Sequence, residues 1–186
     1  MKKTFCLIAV AGIISSCTPV VLGGAAAGAT FASQERTVGT TIDDTNIASA
    51  VRYNFAQFDA GLLADIGVEV NRGRVLLTGL VNAQDTVELA SRKAEQVVGV
   101  TGVVNEIQLR NGQTNIAQDS WITSKIRSKM LITKGLHSMD MSTETVNGVV
   151  YIFGTAQNLE ERNKTINIAR NIAGVRKVVS HVDVKG

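Results

Sequence analysis

The chain has 186 residues, 19 Lys or Arg against 16 Asp or Glu, and 45% hydrophobic side chains. That is enough apolar material for more than one small core, and too little net charge to define a partner by charge alone. The two cysteines, Cys6 and Cys17, both lie near the start. Beyond Cys17 the chain therefore has no disulfide, thiol nucleophile or cysteine-bound metal.

The opening, MKKTFCLIAVAGIISSC, puts Lys2 and Lys3 before an apolar stretch from Phe5 to Ile14, with Ser15 and Ser16 preceding Cys17. This is the layout of a secretory signal peptide over residues 1–16, and the apolar run is too short for a stable membrane span. Without Lys2 and Lys3 the balance falls to 17 basic against 16 acidic side chains. The basic pI is then poor evidence for a nucleic-acid partner, and none is expected. Residues 17–42 include a Gly- and Ala-rich stretch from Val20 to Ala32. It reads as a flexible tether, or as a segment lying against lipid or a partner.

From here the chain repeats itself. Residues 44–109 shifted by 75 lie over 119–184 without a gap, Asp44 on Asp119, Arg52 on Arg127 and Gly73 on Gly148. A constant offset over that length points to duplication. Residues 43–110 and 119–185 are expected to be two domains joined by a linker at 111–118.

The first repeat opens with Asp43-Asp44, good helix-capping chemistry. Ile47, Val51, Phe55 and Phe58 then recur at helical spacing. Ile66, Val68 and Val70 alternate with polar residues as in a half-buried strand. Asn71-Arg72-Gly73 supplies a turn, and Val75–Val81 returns. Asn82 or Asp85 starts a second helix with Val87, Ala90, Ala94 and Val97 inward, ending at Gly99 as C′ residue. Val103–Leu109 closes the unit, parallel to the strand before that helix. The second repeat has the same order. Asp119 caps a helix with Ile122, Ile126 and Met130 inward. Met139 to Thr145 alternates as a strand, and Asn147-Gly148 turns into Val149–Phe153. A helix carrying Ile168, Ala169, Ile172 and Ala173 stops at Gly174, and Val178–Val184 is last. The order α-β-β-α-β, twice, predicts an α+β fold: two tandem sandwiches, each a small mixed three-stranded sheet packed against helices.

That unit has a glycine in the hairpin (Gly73, Gly148), one near the end of the second strand (Gly79, Gly154) and a helix-ending Gly-Val (Gly99-Val100, Gly174-Val175). It resembles the BON domain. Ile14-Ser15-Ser16-Cys17 looks like a bacterial lipobox. Val38-Gly39-Thr40 and the segment Asp119-Ser120-Trp121-Ile122-Thr123 are similar to outer-membrane lipoproteins with two BON domains. The resemblance implies that Cys17 is lipidated and begins the mature chain. It also implies binding of anionic phospholipid and a role in envelope integrity. Thr18, where inner-membrane lipoproteins usually carry aspartate, implies by analogy an outer-membrane anchor facing the periplasm.

The repeats differ in charge. Residues 44–109 carry five basic and eight acidic side chains, residues 119–184 nine and six. They differ most on one stripe of the first helix, where Asn46, Ala50, Asn54 and Gln57 become Trp121, Lys125, Lys129 and Ile132. These positions are three or four apart and share a face with Ser128. Trp and Lys suit a membrane interface, so Trp121, Lys125, Ser128, Lys129 and Ile132 are the candidate phospholipid-binding residues. The same face is also suited to packing on the acidic first repeat, or to binding an envelope or division protein as a structural adaptor.

His137 and His181 have no metal-ligand spacing partner, and no GxSxG, HExxH or P-loop is present. Asp65/Glu69 and Asp140/Glu144 read as solvated strand positions. No catalytic residue, metal or cofactor is expected, so the chain is not expected to be an enzyme, and a monomer is expected.

Overall fold

The structure, a computed structural model, describes residues 38–112 and 114–185, with side-chain surroundings from residue 43 on, except those of Ala60. Cys17, the lipobox and the tether lie outside the described residues. The first repeat comprises α1 (Val38–Phe58), α2 (Ala60–Asp65), β1 (Ile66–Asn71), β2 (Arg74–Val81), α3 (Gln84–Glu95) and β3 (Gly102–Leu109). The second comprises α4 (Ile116–Ile132), a 3-10 turn (Ser138–Asp140), β4 (Met141–Val146), β5 (Val149–Ala156), α5 (Leu159–Arg170) and β6 (Lys177–Val184). Each repeat forms its own mixed sheet, ordered β1-β2-β3 and β4-β5-β6. β2 pairs antiparallel with β1 and parallel with β3, and β5 does the same with β4 and β6. The central strand is thus the one between hairpin and crossover helix.

Val51, Phe55, Val75, Leu77, Ala90 and Ala94 bury the first core between helices and sheet. Ile122, Ile126, Val150, Ile152 and Ala169 do so in the second. Phe58 departs from the expected stripe. It is 55% exposed, with the Lys93 ammonium 3.5 Å from its ring centroid. α1 ends there, and the short α2, which the periodicity did not signal, carries Leu62 inward instead.

The expected caps are not caps. α1 already begins at Val38, and α4 is capped by Asn115, whose Oδ1 accepts from Gln118 N at 3.0 Å. Asp44 and Asp119 instead hold the hairpins. Asp44 accepts from the backbone N–H groups of Arg72 and Gly73 at 2.9 and 2.8 Å. Asp119 accepts from those of Asn147 and Gly148 at 2.7 and 2.8 Å. Both turns have two successive residues with φ near +55° to +75°, as a two-residue hairpin matched to strand twist needs. α3 begins after Ala83, which makes no side-chain cap, so neither Asn82 nor Asp85 starts it. Nor are Gly99 and Gly174 the C′ residues. α3 and α5 end at Glu95 and Arg170, and a further turn carries Val97 and Ile172 into the cores first. Gly79 and Gly154 sit at a close backbone approach. A Cβ there would fall on the carbonyl oxygens of Asp65 and Asp140. In the second repeat the strand starts at Met141, and Met139 lies outside it in the 3-10 turn.

The sheet faces not covered by helices meet each other. Leu76 of β2 and Tyr151 and Phe153 of β5 are buried there, flanked by Val104 and Val179. The Tyr151 hydroxyl accepts from Gln108 Nε2 at 2.7 Å. Arg74 pairs with Asp183 and lies 5.4 Å over the Phe153 ring. Asn71 donates to the Asp140 carbonyl at 3.3 Å and accepts from the Thr155 hydroxyl at 3.1 Å. His181 Nε2 stands 2.7 Å from Glu106, 75 positions earlier. β1 touches β5 as β4 touches β2. Equivalent residues facing each other and equivalent strands exchanging partners mean that an approximate twofold axis runs through this seam.

Candidate functional site

α4 is fixed to its repeat at several heights. Asp119 ties its start to the β4–β5 turn. The Thr123 hydroxyl donates to that of Thr145 at 2.8 Å, and Arg127 donates to the Thr143 carbonyl at 2.7 Å. Ile122, Ile126 and Met130 are buried beneath it. The opposite side of the helix is fully presented. Trp121 is 46% exposed and Ile132 81% exposed, with Lys125, Ser128 and Lys129 exposed beside them. The Lys125 ammonium lies 5.6 Å from the Trp121 ring centroid, a cation–π distance. At about 1.5 Å per residue, Trp121 and Ile132 stand roughly 16 Å apart along the axis. The stripe thus has one aromatic end, one aliphatic end and ammonium groups between.

The first repeat does not cover this stripe. The two repeats meet through their sheet faces and approach at the flank of α4 that carries Ser120, Ser124 and Arg127, and the Trp121 face stays exposed rather than packing on the acidic repeat. Two apolar side chains near Ile132 went unnoticed in the sequence: Leu131, 70% exposed, and Met139, 56% exposed. Leu131 was hidden by its place beside the inward Met130, and Met139 by the expected strand. In the first repeat the position equivalent to Ser128 is the exposed Tyr53, with neither Trp nor Lys on its stripe.

Arg127 reaches Glu144 at 3.4 Å on the side of α4 facing the seam. Burial pushes the Glu144 carboxyl above the usual glutamate range; Arg127 opposes the shift and Glu69, its counterpart 75 residues earlier, adds to it. The expectation of solvated carboxylates therefore fails for Asp140, which is buried, and in part for Glu144. Asp65 is exposed and ends α2 rather than lying in a strand, 3.5 Å from Arg110. Both histidines meet carboxylates. His137 Nδ1 is 3.2 Å from the buried Glu161, which also accepts from Gln157 N at 2.6 Å. Among the described residues there is no group of three or more His, Cys, Asp or Glu placed to hold a metal, and no helix long and apolar enough to cross a membrane.

The BON domain family model matches residues 43–111 and again 118–186. The outer membrane lipoprotein DolP of Haemophilus influenzae is 32% identical over 183 residues, covering 96% of this chain and 94% of that protein. An uncharacterized protein of Anaplasma centrale is 39% identical over 147 residues, 77% of this chain and 96% of the other. The osmotically-inducible protein Y of Escherichia coli K12 is 29% identical over 163 residues, 86% of this chain and 81% of the other.

Proposed function

The chain belongs to the BON-domain family, with two copies of the domain, and from that premise we propose that it is an outer-membrane lipoprotein whose second repeat docks on anionic phospholipid. Cys17 carries the lipid anchor, and Trp121, Lys125, Ser128, Lys129 and Ile132 make the contact, in support of envelope integrity. One observation carries the reading. On α4 the departures Trp121, Lys125, Lys129 and Ile132 form a continuous exposed stripe, clear of both the core and the seam. Indole and aliphatic groups bury at headgroup depth while the ammonium groups remain among phosphates. Near an anionic surface each lysine contributes about 1 kcal/mol. That is weak for a free protein and sufficient for one already tethered, because the anchor makes the second contact intramolecular.

Trp121 is the only tryptophan, so its emission reports on this face alone. Phosphatidylglycerol vesicles should shift it to the blue, and phosphatidylcholine vesicles should leave it nearly unchanged. No shift and no co-sedimentation with either would remove the proposal.

A further inference from the structure

Beside the stripe, on the flank of α4 facing the seam, is an open cleft of about 360 Å³. Its apolar lining comes from Met130 and Leu131 of α4, Met139 of the 3-10 turn and Met141 of β4. Its polar lining includes Arg127 and, from the first repeat, Glu69. Three of the four methionines in the chain thus gather at one place. Met130 and Met141 form the buried floor, and the exposed Leu131 and Met139 form the lip.

The duplication shows that the fold does not require this lining. At the positions equivalent to Met130, Leu131, Met139 and Met141 the first repeat has Phe55, Ala56, Ala64 and Ile66. A rigid aromatic ring has given way to a thioether, and two small side chains to large exposed ones. Unbranched, polarizable methionine side chains adapt to a flexible apolar guest better than branched or aromatic ones. The charged groups of the cleft are Arg127, which is 3.4 Å from Glu144, and Glu69; Lys125 and Lys129 stand outside it on the α4 stripe. A methionine-floored cleft with a polar rim, opening beside the lysine stripe, suits a ligand with an apolar tail whose anionic head stays outside on α4.

We propose that this cleft receives one acyl chain of an anionic phospholipid from the membrane on which α4 docks. The proposal rests on that docking, and it adds a specific lipid site to what is otherwise surface adhesion. Leu131 and Ile132 adjoin at the end of the stripe, so a lipid beneath Ile132 has its tail at the lip of the cleft. Because Glu69 comes from the other repeat, the bound chain lies against both repeats.

The test uses the mature chain, residues 17–186, with Cys17→Ser so that no acyl chain of its own competes. Its methionines are then Met130, Met139 and Met141, and carbon-13 labelling of their methyl groups gives three signals, all from the cleft. Phosphatidylglycerol bicelles are prepared with a nitroxide either midway along the acyl chain or on the headgroup. The site predicts that the chain nitroxide broadens Met130 and Met141 more than the headgroup nitroxide does, together with a blue shift of Trp121. A Trp121 shift with Met130 and Met141 unaffected, or with only the exposed Met139 broadened, overturns the cleft and leaves the docking intact. Absence of the Trp121 shift overturns both.

Discussion

Phe153→Ala opens a hole in the seam between the repeats and in neither helix-covered core. Phe153 is fully buried and shares its cluster with Leu76 and Val104 of the other repeat. Truncating a buried Phe to Ala costs about 3–5 kcal/mol. Loss of the Arg74 contact over the ring adds about 0.5–1 kcal/mol. With a urea m-value of about 2 kcal/mol/M, the unfolding midpoint should fall by roughly 2 M. Two probes separate a general loss of stability from uncoupling. Trp121 fluorescence tracks the second repeat alone, while far-ultraviolet circular dichroism tracks both. In the unaltered chain the two curves should coincide, because unfolding either repeat exposes the seam face of the other. In Phe153→Ala they should part. Coincident curves with a midpoint moved by less than about 0.5 M would refute the idea that the seam couples the repeats.

The double substitution Lys125→Glu, Lys129→Glu should weaken phosphatidylglycerol binding at least about 30-fold, since neutralising two lysines alone removes roughly 2 kcal/mol. Co-sedimentation at low salt measures it, and the melting temperature should hardly move because both side chains are exposed. Gly154→Ala should cost more than about 2 kcal/mol. Its φ of +138° disfavours any side chain, and the added methyl meets the Asp140 carbonyl. A thermal melt shows the loss, and an unchanged melting temperature contradicts the close approach. Glu144 has a folded-state pKa raised by burial, so the native chain holds a proton to higher pH than the unfolded one. Stability should therefore rise as pH falls from neutral towards the ordinary glutamate value of about 4.3. Glu144→Gln should flatten that rise in denaturant titrations across pH; an unchanged slope counts against a raised pKa.

How far the sequence could be read depended on the range of the interaction. Ile66, Val68 and Val70 alternate because one strand has one buried face, and a period of two is a local property. The parallel pairing of β3 with β2 could be inferred from the helical crossover. Asp44 and Asp119 were misread because capping is the local use of aspartate. Their actual partners lie 28 and 29 residues away. The seam leaves a trace in the sequence. The runs Val75-Leu76-Leu77 and Val149 to Phe153 are apolar at consecutive positions, which marks strands covered on both faces. The sequence did not reveal that each repeat covers the other. For the candidate site, Trp121, Lys125, Lys129 and Ile132 stand out in the offset comparison, and the structure shows them as one exposed stripe. Leu131 and Met139 do not stand out there, because their exposure depends on where α4 and β4 end.

The back-to-back seam also sets distances from the surface. The layers run helix, sheet, sheet, helix, so α1 and α4 lie on opposite outer sides. If α4 docks as proposed, with the layers parallel to the surface, three layer spacings of roughly 10 Å put α1 about 30 Å above the membrane. The screening length at physiological ionic strength is about 8 Å. On that docking α1 rides several screening lengths above the lipid phosphates, where its charges exert little repulsion, whereas Asp65 at the end of α2 stays beside α4.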